Sequence, residues 1–119
     1  MRLLIALAAV MVAAAASAAS STPATKVLKG TVGPSFTISV KTPAGKPVKT
    51  TKAGIYRLVV QDKSSFHDFH LTGPGINKVV TTVPFTGTKA VTVRLKVGLY
   101  RYVCDPHSSE MKGSFRATA

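Results

Sequence analysis

Period-two alternation of apolar and polar positions dominates the chain from about residue 35 onward. Over Ala90–Val97, the residues Val91, Val93, Leu95 and Val97 alternate with Thr92, Arg94 and Lys96. Phe36, Ile38 and Val40 alternate with Thr37 and Ser39, and Tyr56, Leu58 and Val60 share a face with Arg57 opposite. Tyr100, Tyr102 and Cys104 fall on one side of the next run, and Met111, Gly113 and Phe115 on one side of the last. Turn-forming sequences separate these runs: Thr42-Pro43-Ala44-Gly45, Ala53-Gly54, Gly73-Pro74-Gly75, Thr86-Gly87 and Val97-Gly98. No stretch keeps a 3.6-residue period. The pattern predicts an all-β domain of seven or eight short strands, a small sandwich or barrel.

The N-terminus departs from this pattern. Met1-Arg2 is followed by an unbroken apolar run from Leu3 to Ala16, and Ala16-Ser17-Ala18 fits a small-residue cleavage site. A membrane span needs about 20 apolar residues, so the run suits a cleaved signal peptide over residues 1–18 better than a retained anchor. Residues 19–32 then form a flexible lead-in that can carry a first strand, and residues 33–119 the folded domain. The expected location is exported, periplasmic or extracellular.

The chain has 119 residues, enough for one core, and 45% hydrophobic content, which speaks against intrinsic disorder. One cysteine excludes an internal disulfide and a multi-thiolate zinc site. With 16 Lys+Arg against 4 Asp+Glu the formal charge is +12. An exported chain rarely meets nucleic acid, so this charge points to acidic partner proteins or to an anionic membrane or wall surface.

A lone thiol in an oxidising compartment calls for a reason, and metal ligation supplies one. Cys104-Asp105-Pro106-His107 and Met111 place a thiolate, an imidazole and a thioether on one short loop after a strand. That donor set suits copper. A further imidazole comes from Ser65-Phe66-His67-Asp68-Phe69-His70-Leu71. On a strand, His67 shares its face with Phe69 and Leu71, whereas His70 lies with Phe66 and Asp68, so His67 is the better-placed ligand and His70 the alternative.

These residues also carry a family resemblance. His67-Asp68-Phe69, Gly98-Leu99-Tyr100-Arg101-Tyr102-Val103-Cys104-Asp105-Pro106-His107 and Met111-Lys112-Gly113-Ser114-Phe115 resemble type 1 (blue) copper proteins of the plastocyanin and pseudoazurin kind. The resemblance implies a cupredoxin-like Greek-key β-sandwich holding one copper ion. It implies His67, Cys104 and His107 as equatorial ligands and Met111 as the axial one. It further implies a one-electron carrier. The scattered lysines would steer redox partners with acidic docking patches by long-range attraction, and a monomer is the expected state. Asp68 departs from the family, where Asn often follows the first ligand histidine. Two other readings use the same residues differently: copper storage or delivery at the same site, and a metal-free β-sandwich binding module. Enzymatic copper chemistry is not expected, because three histidines leave none for a second centre.

Overall fold

The computed structural model describes residues 10–12, 14 and 25–119. Most of the leader expected over residues 1–18, and the lead-in up to residue 24, lie outside the described residues. Nine strands follow in the order β1 (Lys26–Val32), β2 (Ile38–Lys41), β3 (Thr50–Lys52), β4 (Gly54–Asp62), β5 (Phe69–Gly73), β6 (Ile76–Thr81), β7 (Gly87–Leu95), β8 (Gly98–Val103) and β9 (Lys112–Thr118). Two mixed sheets pack face to face. One has the order β2-β1-β4-β7 and the other β3-β9-β8-β5-β6. Parallel pairing occurs between β1 and β4 and between β3 and β9, and the remaining pairs are antiparallel. The all-β sandwich expected from the alternation is therefore present.

The apolar faces read from the sequence fill the space between the sheets. Tyr56, Leu58 and Val60 of β4 are buried while Ile55 and Arg57 face water. Val93 and Leu95 of β7 and Tyr100 and Tyr102 of β8 do the same from either side. A line of stacked rings runs through this core: Tyr100–Phe115 at 5.4 Å, Tyr102–Phe115 at 6.4 Å and Phe69–Tyr102 at 5.9 Å between centroids. Each such pair is worth about 0.5–1.5 kcal/mol beyond its buried area. The rings can lie this close because β9 carries Gly113 opposite Tyr102, where a side chain would collide with the phenol ring. The Tyr100 hydroxyl donates to the Pro74 carbonyl at 2.9 Å and accepts the Lys96 N–H at 2.8 Å, so its polar tip is satisfied at the end of the barrel of rings.

Three expectations need correction. The strand count is nine rather than seven or eight, because Thr50–Lys52 forms a short strand by pairing with β9 although its own sequence has no apolar alternation. Phe36 does not share the inward face of Val40. It precedes β2 and is 58% exposed, because the Gly33-Pro34-Ser35 turn delays the strand until Ile38. Val97 is likewise 62% exposed, in the turn between β7 and β8.

Candidate metal centre

One end of the sandwich gathers the loops that carry the sulfur and nitrogen donors. Strand β8 delivers Cys104 immediately after Val103. A single 3₁₀ turn, Asp105–His107, with Pro106 inside it, then reverses the chain. Met111 closes the loop before β9 begins. Four backbone hydrogen bonds lock this loop onto itself. Cys104 N–H donates to the Met111 carbonyl at 3.0 Å, and His107 N–H to the Cys104 carbonyl at 3.0 Å. Glu110 and Met111 N–H both donate to the His107 carbonyl, at 3.0 and 2.8 Å. The loop is therefore rigid before any ligand is considered, with Cys104 and Met111 fully buried.

His67 arrives from the loop between β4 and β5. It precedes β5 rather than lying within it, yet it points inward as Phe69 and Leu71 do, with 3% exposure. The loop is held by Asp62, whose Oδ1 accepts the Ser64 N–H at 3.1 Å, and by Ser64 Oγ, which accepts the Phe66 N–H at 3.1 Å. Gly33, at φ +73°, lets the neighbouring loop approach the His67 ring. A β-carbon there would stand 3.2 Å from His67 Cδ2.

The donors converge. His67 Nδ1 and His107 Nδ1 are 3.2 Å apart, and Cys104 Sγ lies 3.6 Å from each. Nitrogen and sulfur donors sit about 2.0 and 2.3 Å from a divalent first-row ion. In a trigonal plane those lengths require separations of about 3.5 Å between nitrogens and about 3.7 Å between nitrogen and sulfur. The observed triangle is within a few tenths of an ångström of that requirement. Trigonal His2Cys with a methionine nearby is the donor set of a type 1 copper site, and the residues present fit one such ion. Burial pushes the Cys104 thiol above its ordinary value, so a metal that takes the thiolate must displace its proton.

His70 is engaged elsewhere. Its Nδ1 is 3.0 Å from both carboxylate oxygens of Asp105, and its Nε2 is 2.6 Å from Asn77 Oδ1. Those two contacts, with Asn77 the larger influence, raise its pKa. Asp68 is buried, at 4% exposure, rather than turned to solvent. Its Oδ1 accepts the Asp105 N–H at 2.6 Å and so ties the His67 loop to the Cys104 loop. Burial, with the Asp105 carboxylate next to it, raises the Asp68 carboxyl to about 6. The partnership acts oppositely on Asp105, which is lowered chiefly by its contact with Asp68.

Phe36 is the residue that sequence reasoning assigned to the wrong role. Its ring stands edge-on to His107 at 4.9 Å and to His67 at 5.6 Å between centroids. The Gly-Pro-Ser turn before it was the available signal that it leaves the sheet. Only His107 of the four expected ligands reaches the surface, half-buried between Phe36 and the exposed Pro106.

No family model and no curated protein matches the chain. Among solved structures, rusticyanin variants align over 82% of this chain and 80% of theirs, with 23% identity and a TM-score of 0.57. A further structure, described as the copper protein rusticyanin, aligns over 77% of this chain and 76% of its own, with 22% identity and a TM-score of 0.54. A heme-copper terminal oxidase structure is similar over 80% of this chain and 66% of its own, with 16% identity and a TM-score of 0.53. These likenesses are of fold, and the fold they share with this chain is the cupredoxin sandwich.

Proposed function

We propose that this protein is an exported, monomeric type 1 copper protein that carries single electrons between redox partners. His67, Cys104 and His107 are assigned as its equatorial ligands and Met111 as the axial one. The observation that carries the proposal is the preformed triangle of two imidazole nitrogens and one thiol sulfur. Copper at such a site supplies a Cu(I)/Cu(II) couple, since thiolate and thioether suit the reduced ion and imidazole tolerates both. The chain's part is to keep the donors where both oxidation states accept them. The self-bonded Cys104–Met111 loop and the Asp68–Asp105 link hold that geometry. Rusticyanin, similar in fold, is described as a copper protein and is also solved in a reduced form, which agrees with this reading.

His107 is the exit for the electron because it alone of the assigned ligands reaches the surface. Phe36, edge-on to it, is 58% exposed, and Phe66, next to His67 in the chain, is 74% exposed. A small, weak encounter with a partner's redox centre suits such a patch. Cyclic voltammetry of the copper-loaded protein tests the proposal. The expected result is a reversible one-electron wave, with copper retained against a Cu(I) chelator over many cycles. Rapid loss of copper to the chelator, with no reversible wave, overturns electron carriage in favour of copper delivery.

A further inference from the structure

The acidic side chains are gathered at one end of the sandwich. Every strand runs between two ends, and the metal end holds the last residues of β1, β4 and β8 and the first of β5, β7 and β9. The four acidic residues of the chain, Asp62, Asp68, Asp105 and Glu110, all lie on or beside the loops of that end. The opposite pole has no acidic side chain. Lys26 at the start of β1, Lys52 at the end of β3, Arg94 and Lys96 at the end of β7, and Arg116 near the end of β9 are exposed there. Among the described residues, none of them has a carboxylate within ion-pair distance.

Apolar side chains are exposed among these cations. Val97, at the tip of the β7–β8 turn, is 62% exposed, Ile55 50% and Leu99 37%. Two of them are in cross-strand register with an arginine, Ile55 with Arg94 and Leu99 with Arg116. Between β6 and β7 the same pole opens into a groove of about 550 Å³ whose walls include Lys78, Arg94 and Lys96 over Ile76 and Val93. Cations around protruding aliphatic residues suit an interface with acidic headgroups above and acyl chains below. An acidic polymer in water would reward the charges but not the aliphatic residues.

We propose that this pole docks on an anionic phospholipid surface, with Val97 entering the headgroup layer and His107 held on the far side, facing away from the bilayer. The proposal concerns orientation and partner, and it does not require copper. The test is cosedimentation of the metal-free and copper-loaded protein with phosphatidylcholine vesicles, with and without phosphatidylglycerol. Binding is expected only to the anionic vesicles and equally for both forms. The double variant Arg94→Gln/Lys96→Gln is expected to bind about thirtyfold more weakly. The matched variant Lys63→Gln/Lys112→Gln, at the metal end, is expected to change binding less than about threefold at physiological salt.

The chain has no tryptophan, so single reporters can be placed. Val97→Trp is expected to shift its fluorescence to the blue on anionic vesicles, while Phe66→Trp at the metal end stays unchanged. Equal losses from the two double variants, or a blue shift at position 66 in place of 97, would overturn the orientation. Binding to soluble polyglutamate as tight as to vesicles, and indifferent to Val97→Ser, would assign the pole to an acidic polymer and overturn the lipid proposal.

Discussion

Asp68 offers the sharpest separation of the forces at the metal end, because two substitutions act on it in opposite directions. Its Oδ1 is the buried acceptor for the Asp105 N–H at 2.6 Å. Asp68→Ala removes the acceptor and strands that N–H, a loss of about 1–3 kcal/mol. In a domain of this size about 1 kcal/mol moves the melting temperature by about 4–8 °C, so a fall of about 5–20 °C is expected. Asp68→Asn keeps a carbonyl acceptor in the same place and removes the ionisable group. The folded protein raises the Asp68 carboxyl from 3.8 to about 6, through burial first and the Asp105 carboxylate second. A carboxyl raised in the folded state favours folding while it is protonated. That contribution is complete below about pH 4 and is lost as pH rises through about 6. A shift of this size corresponds to at most about 3 kcal/mol, and the lowered Asp105 returns part of it. Asn at this position is therefore expected to match or exceed the parent at pH 7, with the gain vanishing near pH 4. Thermal melts of the metal-free protein, followed by circular dichroism from pH 4 to 8, read both effects. Asp68→Asn melting as low as Asp68→Ala at pH 7, or a difference from the parent that does not vary with pH, would refute a role for Asp68 as a buried acceptor with a raised carboxyl.

Other substitutions address the ligands, the core and the docking patch. Cys104→Ser and His67→Ala should each abolish the visible thiolate-to-copper absorption, whereas His70→Ala should keep it, since the His70 ring is bound to Asp105 and Asn77; absorption spectra of the three proteins side by side decide the ligand. Gly113→Ala places a methyl group against the Tyr102 ring and should cost about 1–3 kcal/mol in urea unfolding, with the denaturant slope unchanged. Leu58→Ala, in the centre of β4, should cost about 2–5 kcal/mol by the same measurement. Phe66→Ser, 74% exposed beside the site, should leave the absorption spectrum intact and slow electron exchange with a partner; an unchanged exchange rate would remove Phe66 from the docking patch.

The sandwich was legible because the faces of β4, β7, β8 and β9 are set by strict alternation, and burial follows that alternation residue by residue at Tyr56, Leu58, Val60, Tyr100 and Tyr102. What alternation could not give was β3, whose Thr-Thr-Lys sequence has no apolar face and which exists through pairing with β9. Phe36 was misplaced because its apolar character continued the period of Ile38 and Val40, and the turn chemistry before it overrode that period. The convergence of Cys104 and His107 was readable from their spacing on one loop. Where His67 points was readable from its phase with Phe69 and Leu71, even though the strand begins only after it. Asp68 was not readable in the same way. Its phase places it outward with Phe66, but a backbone N–H from Asp105, far away in sequence, draws it into a buried position. Long-range hydrogen bonds of that kind leave no local pattern. The gathering of the acidic side chains at one pole was equally hidden, since it emerges only once strand directions are known.

Whether two imidazoles and one thiolate close around a single copper ion is read by titrating metal-free protein with Cu(II) and recording the visible and electron paramagnetic resonance spectra. An intense blue absorption that saturates at one copper per chain, a narrow copper hyperfine splitting, and a Cys104 thiol that no longer reacts with alkylating reagents are expected. A colourless protein whose thiol is alkylated as readily with copper as without it would show that Cys104 does not hold copper.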